Sequence, residues 1–403
     1  MNVCIDLFNI FNPKSEITFP MSIKQKLTLL SFLQFFIWGS WLISTGGYLF
    51  SLGFKGLEIG SVYSTLGIAS LFMPALLGIV ADKWMNAERV LGLSHLAGAV
   101  FLIIASFVKS PSLMFWVMLF NSMAYMPTIS MNNTVSYKIL QQSGYDVVKD
   151  FPPIRVWGTV GFIIAMWISD LSGFARTNMQ FYTAAASAIA MGLFCFSLPA
   201  CPPAKTEKSG SLSTALGLDA FQLLKRQKMF VFFLFSMLLG AALQITNTFG
   251  DSFLRDFGLN HEFENTFVVK HPLVMLSLSQ ISETLFILTI PFFLQRFGIK
   301  IVMILSMAAW VLRFGLFAIG DPDPKGGLIY LILSMIVYGM AFDFFNISGS
   351  LFVEKETAPN IRASAQGMFM MVTNGIGAIL GGLGSGWVVD YFTENQVKDW
   401  PNI

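Results

Sequence analysis

The sequence predicts an all-α polytopic membrane protein. Of its 403 residues, 55% are hydrophobic and only 12% are charged, whereas a soluble domain carries about 25% charged residues. The apolar runs are continuous and match the roughly 20 residues that a helix needs to cross a bilayer. A β-barrel would instead show alternating segments of about ten residues. Because the bilayer core offers no water to the backbone, each run is predicted to be a helix.

Eleven apolar runs qualify as membrane-spanning helices. They lie near residues 28–50, 58–81, 90–108, 112–136, 154–173, 179–199, 229–250, 272–294, 300–319, 328–350 and 364–388. The connections are short except for the basic segment 200–228. The predicted organisation is a disordered extension 1–20, a six-helix bundle 21–199, a linker 200–228 and a C-terminal bundle 229–403 of five helices.

The basic residues predict the orientation in the membrane. With the N-terminus inside, 17 of the 25 lysines and arginines fall in cytoplasmic segments, as the positive-inside rule requires. The linker is then cytoplasmic. An odd number of spans is unusual for a chain of two equal halves, so a twelfth helix is expected to be missing from the C-terminal bundle.

Short matches between the two halves predict an internal repeat. In chain order they pair Gly39 with Gly240, Met123–Tyr125 with Met340–Phe342, and Pro152–Arg155 with Pro359–Arg362. Parallel repeats of this kind build transporters whose substrate site lies at mid-membrane between the halves.

The loop after the second span contains a recognisable motif. Gly78, Asp82 and Lys83 end the span, and Arg89 follows. This pattern resembles the signature of the major facilitator superfamily, in which an aspartate and basic residues can pair with neighbouring helix ends in one conformation. The resemblance implies two pseudo-symmetric helix bundles, with eleven of an expected twelve helices present. The alternative is an ordinary positive-inside loop.

Polar residues recur at helical spacing inside the predicted spans. A carboxylate at membrane depth costs at least about 2.5–3.5 kcal/mol, so such residues generally line a polar cavity. Structural hydrogen bonds between helices are the alternative. The residues are Arg155, Thr159 and Phe162 in the fifth span, Gln244 and Asn247 in the seventh, Gln280 and Glu283 in the eighth, and Tyr338, Phe342 and Asp343 in the tenth. Amides and aromatic rings together favour a small polar solute that contains a ring.

Three charged residues predict proton coupling. Arg155 is expected to face Asp343 and Glu283 across the halves. A buried carboxylate takes up a proton when it has no cationic partner and releases it beside an arginine. The alternative is a fixed ion pair that joins the halves. Arg313 is either a second pair of this kind or a packing residue, and His95 is expected to be a packed histidine.

Soluble catalytic machinery is not predicted. The three cysteines and three histidines lack metal-ligand spacing. The chain has no phosphate-binding glycine loop and no nucleophile motif. We therefore expect no enzyme activity, no metal, no cofactor other than the proton as coupling ion, and no nucleic-acid partner.

Four long strings of sequence resemble one family. They are Ser31–Phe35, Phe72–Trp84, Asp150–Arg155 and Ala341–Gly349, and they are similar to the bacterial nucleoside:proton symporter family of the major facilitator superfamily. The resemblance spans residues 21 to about 400 and implies proton-driven import of nucleosides across the inner membrane by a monomer. It places substrate contacts on Arg155, Thr159, Phe162, Gln244, Asn247, Gln280, Glu283, Tyr338 and Phe342, with Asp343, Glu283 and Arg155 for proton coupling.

Two alternative functions stay open at this point. One is a carrier for another small polar solute, such as a sugar, on the same scaffold. The other is a membrane receptor or scaffold without transport activity, against which the paired amides and carboxylates in the spans argue.

Overall fold

The computed structural model describes residues 21–203, 218–359, 361–394 and 397–403, and most of them are helical. The extension 1–20 and most of the predicted linker lie outside the described residues. The helices are α1 Ile23–Gly39, α2 Thr45–Ser51, α3 Gly56–Lys83, α4 Ala87–Ala105, α5 Pro111–Gln142, α6 Val147–Leu171, α7 Met179–Cys195, α8 Gln227–Asp256, α9 Phe267–Lys270, α10 Pro272–Ile287, α11 Ile290–Ile319, α12 Gly327–Glu356, α13 Arg362–Met370 and α14 Ala378–Tyr391. One turn of π-helix, Met371–Gly377, joins α13 to α14.

Within this described part, eight helical segments are long and apolar enough to cross a membrane, and α7 and α10 are shorter apolar helices. The chain is therefore a multi-pass helical membrane protein, as predicted. Three predicted spans are interrupted. The first is divided into α1 and α2, the eighth ends as α10 at Ile287 before α11 begins, and the last contains the π-helical turn. The sequence missed these breaks because hydropathy does not report backbone hydrogen bonding.

Gly298 explains why the eighth and ninth spans have other boundaries than predicted. It lies inside α11 with φ 75° and ψ 166°, a conformation outside the helical region. A positive φ is readily adopted only by glycine. The segments before and after Gly298 are therefore two helices that meet at a kink.

The helices form two groups. Helices α1 and α3–α7 pack mainly against one another, and α8 with α10–α14 form the second group. The groups meet where α3 packs along α14 and α6 packs along α10. A small antiparallel pair, Thr393–Glu394 with Val397–Lys398, follows α14.

Two glycines that the repeat pairs have matching surroundings. A Cβ on Gly39 of α1 would lie 2.5 Å from the carbonyl oxygen of Phe162 on α6. A Cβ on Gly240 of α8 would overlap the carbonyl oxygen of Thr373 on the π-helical turn. Each glycine thus lets the first helix of its group approach the fifth, which supports the internal repeat.

The contact between α3 and α14 depends on small residues. A Cβ on Gly382 would lie 2.7 Å from the carbonyl oxygen of Gly60. A Cβ on Gly386 would overlap the carbonyl oxygen of Gly56. Small residues at helix crossings allow backbones to approach closely in membranes. Gly384, on the same helix, is exposed, and a Cβ on it would meet nothing within 4 Å.

The substitution Gly382→Ala tests this contact. The added methyl group must displace backbone of α3, and overpacking of this kind destabilises by about 1–3 kcal/mol. We expect a lower melting temperature in detergent. Gly384→Ala, two residues away, should leave the melting temperature unchanged or raise it, because alanine favours helix. Equal melting temperatures for the two variants would contradict the described crossing.

Candidate functional site

A small cavity lies between the two groups of helices. Ile43 and Met166 line it from the first group. The second group contributes Thr246, Asn247, Leu276, Ser279, Gln280, Arg313 and Tyr338. The cavity is thus at the position that the repeat predicted, and it holds three of the predicted site residues: Asn247, Gln280 and Tyr338.

A glycine brings α10 and α12 together beside the cavity. A Cβ on Gly339 would lie 2.6 Å from the carbonyl of Ser282 and 2.7 Å from the amide nitrogen of Glu283. The Ser282 hydroxyl also donates a hydrogen bond to the carbonyl of Ile336. The predicted ligands Glu283 and Tyr338 are adjacent in space for this reason. Sequence reasoning missed Gly339, although a glycine next to a predicted ligand is a usable signal.

Aromatic rings form one wall of the site. The rings of Tyr338 and Phe342 lie 6.0 Å apart and are parallel to within 1°. Trp310 meets Tyr338 edge to face at 6.0 Å. Phe342 borders a neighbouring cavity of about 320 Å³, which Asn346 and Asn374 also line. The two cavities are therefore separated by the Tyr338–Phe342 pair, and both rings offer flat faces for stacking.

The amide groups of the cavity have unused hydrogen-bonding capacity. Gln280 has a buried Oε1 without a hydrogen-bond partner among the described residues. Asn247 lines the same cavity from α8. An amide supplies both donors and acceptors, and leaving a buried one unpaired costs about 1–3 kcal/mol. A polar ligand in the cavity would satisfy these groups.

Arg313 lies in the same cavity, where the sequence left its role open. Its side chain is 2% exposed. The guanidinium lies 4.4 Å from the centre of the Tyr338 ring and 5.3 Å from that of Phe317. Nη1 is 3.4 Å from the hydroxyl of Ser279, and Nε has no partner among the described residues. Arg313 thus forms no ion pair with the described residues. It packs against aromatic rings and a serine hydroxyl.

The three predicted coupling residues are near one another without forming a close ion pair. The carboxylates of Glu283 and Asp343 each interact electrostatically with the guanidinium of Arg155. The two carboxylates also interact with each other. None of the close ion pairs in the described part of the chain includes Arg155. Its guanidinium instead stacks on Phe35, 4.1 Å from the ring centre. Asp343 is 5% exposed, and its Oδ2 has no partner among these residues.

Other predicted residues lie at the edge of this arrangement. Thr159 is half-buried on α6, one turn after Arg155. Phe162 is buried and meets Trp38 edge to face at 6.3 Å. Gln244 is buried, and its amide donates to the hydroxyl of Thr248 at 3.2 Å rather than lining the cavity.

The motif after the second span is separate from the cavity. Asp82, Lys83 and Arg89 are exposed at the end of the bundle. The nearest anion to Arg89 is Glu88, at 4.0 Å. Glu88 is itself buried and accepts a hydrogen bond from the amide of Cys201, which ties the start of α4 to the end of α7. A Cβ on Gly78 would meet nothing within 4 Å.

One set of buried polar groups in the first group is paired within itself. His95 Nε2 lies 3.0 Å from Oε1 of Gln34, and the Gln34 amide donates to Thr128 at 2.8 Å. Tyr125 donates to the backbone carbonyl of Gln34 at 2.6 Å. His95 is therefore a packed histidine, as expected.

Two aspartates join the groups at one end of the cavity. Asp170, one turn after Met166 on α6, accepts hydrogen bonds at 3.1 Å from the amides of Leu273 and Val274, the first turn of α10. Asp390, on α14, accepts from the amides of Gly56 and Leu57, the first turn of α3, at 2.5 and 2.8 Å. A carboxylate stabilises the free N–H groups and the positive dipole end of a helix.

We name the end of the bundle that holds Asp170 and Asp390 the cap face. The segment after α14 also folds over it. Lys398 and Trp400 donate to Asp256 at 2.7 and 2.9 Å, and Lys398 lies 4.1 Å from the ring centre of Phe50 in the first group. Among the described residues, the hydrogen bonds that join the groups are those of Asp170 and Asp390 at this face and one from the Trp167 indole to the Ser277 hydroxyl beside the cavity. The contacts at the cap face close the cavity at that end.

Comparison with known families gives one match over most of the chain. The family model described as "Nucleoside H+ symporter" matches residues 21–403. This range includes every helix that lines the cavity.

Individual relatives and solved structures agree with that match. The nucleoside permease NupG of Escherichia coli (strain K12) is 58% identical over 95% of this chain and 92% of the relative. The xanthosine permease of the same organism is 55% identical over the same shares. Two crystal structures of the nucleoside transporter NupG, one of a mutant, superpose with TM-scores of 0.89 and 0.92, and each match covers 94% of both chains.

The variant Asp170→Ala tests the closure of the cap face. Loss of a capping carboxylate costs about 0.5–2 kcal/mol, so the amides of Leu273 and Val274 should exchange hydrogen about three- to thirtyfold faster. Mass-spectrometric hydrogen exchange on the purified protein measures this. Asp146→Ala removes a cap within α6 itself and should leave these two amides unchanged. Unchanged exchange in Asp170→Ala would show that the inter-group cap does not form.

Proposed function

Because this chain belongs to the nucleoside H+ symporter family, we propose that it binds nucleosides in the cavity between the two groups of helices and carries them with a proton across the bacterial inner membrane. The family and the close relatives are transporters, not enzymes. The observation that carries the site assignment is the cavity itself, in which Asn247, Gln280 and Tyr338 meet.

The chemistry of the cavity suits a nucleoside. The ring pair Tyr338–Phe342 offers a face on which a base can stack, and stacking of this kind is worth about 0.5–1.5 kcal/mol beyond the buried area. Asn247 and Gln280 provide donors and acceptors for ribose hydroxyls or base edges. Glu283, one turn after Gln280, can accept hydrogen bonds from a hydroxyl group. The unused Oε1 of Gln280 supports a polar ligand rather than a lipid.

The proposed coupling depends on Arg155, Glu283 and Asp343. Arg155 belongs to the first group and the carboxylates to the second, and the charges of all three interact in the described conformation. When the groups rock, the distance between Arg155 and the carboxylates changes. A carboxylate beside the guanidinium releases its proton, and one far from it takes a proton up. Asp343, whose side chain is less exposed to solvent than that of Glu283 and has an unpaired Oδ2, is the proposed carrier.

Alternating access also requires a closed and an open end. The inter-group contacts at the cap face support a conformation that opens at the opposite end. The sequence predicts that the cap face is outside and that both the N-terminus and the linker are cytoplasmic, so the proposed conformation faces inward. We further propose that the protein works as a monomer, since one chain supplies the whole cavity.

Transport in proteoliposomes tests the proposal directly. Labelled uridine should accumulate above its external concentration when the pH outside is lower than inside, and it should only equilibrate without a pH gradient. Unlabelled nucleosides should compete, and a free hexose should not. Equal uptake with and without the gradient would reject coupling, and competition by the hexose alone would favour the sugar-carrier alternative.

Substitution should distinguish the roles of the two carboxylates, Asp343 and Glu283. Asp343→Asn should abolish gradient-driven accumulation and retain exchange of labelled for unlabelled uridine, because exchange does not require proton release. Glu283→Gln should weaken uridine binding by about tenfold, the loss expected for one charge-assisted hydrogen bond. Asp323→Asn, in the loop before α12, is the control and should change neither property. Wild-type affinity in Glu283→Gln would remove Glu283 from the binding site.

A further inference from the structure

The proposed cavity contains a cation that the family assignment leaves without a role. We propose, on the basis of the proposed nucleoside site, that Arg313 is a specificity-determining residue. It binds the carbonyl oxygens of the nucleobase and favours nucleosides with oxo-bearing or negatively charged bases over those with amino-substituted bases.

The burial of Arg313 requires a partner. A buried charge that lacks a partner costs several kcal/mol, and the side chain of Arg313 is 2% exposed. No ion pair in the described part of the chain includes it. Its contacts with the rings of Tyr338, Phe317 and Trp310 compensate only in part, because a cation over an aromatic ring gains less than burial of the charge costs.

The orientation of the guanidinium gives it free donors in the cavity. Of its nitrogens, Nη1 has a long contact of 3.4 Å with the Ser279 hydroxyl, and Nε has no partner among the described residues. Ser279, Gln280 and Arg313 all line the same cavity. Nε of Arg313 and Oε1 of Gln280 are therefore an unpaired donor and an unpaired acceptor on two residues that line the same cavity.

The chemistry of a guanidinium selects its ligand. It has five N–H donors and no acceptor, so it binds only acceptor atoms. Carbonyl oxygens and ionised rings are acceptors with negative charge, which a planar fork recognises strongly. An amino group at the same position is a donor and leaves the cation unpaired. A nearby amide, such as Asn247 or Gln280, serves ribose hydroxyls better, because hydroxyls both donate and accept.

The position of Arg313 places it near a stacked base. Its guanidinium lies over one face of Tyr338, and Phe342 lies beside the same ring. Because the guanidinium covers that face of Tyr338, a base in the cavity lies beside the ring pair with its edge toward Arg313. Arg313 is the cationic group among the residues that line the cavity. It therefore meets the edge of the base, where the common bases differ, rather than the ribose that they share.

A panel of competitors tests the proposal on the full-length protein. Inhibition constants against labelled uridine are measured for inosine, xanthosine, adenosine and purine riboside, the last of which lacks the 6-oxo group of inosine. In Arg313→Gln, inosine and xanthosine should bind about ten- to a hundredfold more weakly, the range for a hydrogen bond to a charged group. Adenosine and purine riboside should change less than threefold. Arg313→Lys should restore part of the loss.

The control is Arg296→Gln, which makes the same change at an exposed position of the same helix. It should leave all inhibition constants within twofold. A uniform loss for the four nucleosides in Arg313→Gln would assign Arg313 to ribose binding or to packing of Tyr338 and would overturn the proposal. No loss for any of them would overturn it as well.

The wild-type protein provides a test that does not depend on folding of a variant. It should bind inosine at least tenfold more tightly than purine riboside, because only inosine offers an oxygen to the guanidinium. Equal affinities would overturn the role of Arg313 while leaving nucleoside transport intact. Failure of every nucleoside to compete would instead overturn the proposed function, and the role of Arg313 with it.

Discussion

The two aspartate caps at the cap face hold the structure in one conformation. Asp170 and Asp390 each come from the end of a helix in one group and bind the first turn of a helix in the other. An N-terminal turn has free N–H groups, and in a membrane protein few other partners can reach them. The glycine-lined crossing of α3 and α14 lies directly below one cap. The cavity follows from these contacts, because the groups are held together at one end and diverge from there.

Buried polar groups are paired around Gln34 and partly unpaired beside the cavity. In the first group, Gln34, His95 and Thr128 bind one another and leave little for a ligand. In the second group, single atoms of Gln280, Arg313 and Asp343 have no partner among the described residues. A half-satisfied polar network is less stable than an apolar core. Unpaired atoms also occur in the first group, on Trp38, Asn132 and Ser136, so they do not by themselves mark a site. Gln280 and Arg313 differ from these residues because they line the cavity.

The sequence predicted the fold well, for a physical reason. Hydropathy reports which segments lie in lipid, and a carboxylate such as Glu283 cannot face lipid without a large energetic cost. Asn247, Gln280 and Tyr338 were found in this way. Gln244 shares a helix with Asn247 at the right spacing, yet its amide bonds to Thr248. Helical spacing places a side chain on a face but does not say which neighbour it meets.

Other features could not be read from spacing at all. The caps depend on which helix end meets which helix start, and Asp170 and Asp390 do not occupy matching positions in the sequence repeat. Arg313 lies in an apolar span without a nearby acidic residue in the sequence, so a search for ion pairs gave it no role. Its position at the cavity is visible only in the structure, where two other helices bring Tyr338 and Ser279 beside it.

The two halves resemble each other more in their helix packing than at the site. Gly39 and Gly240 make equivalent close contacts in the two groups. Where the repeat aligns Tyr125 with Phe342, the next residue is Met126 in one half and Asp343 in the other. Arg362 pairs with Glu354 at 3.5 Å, whereas its counterpart Arg155 stacks on Phe35 and faces carboxylates of the other group. Similar halves can rock about a shared interface, but an unpaired arginine facing unpaired carboxylates is needed only once. In the proposed mechanism, the proton and the nucleoside therefore require the two halves to differ at these positions.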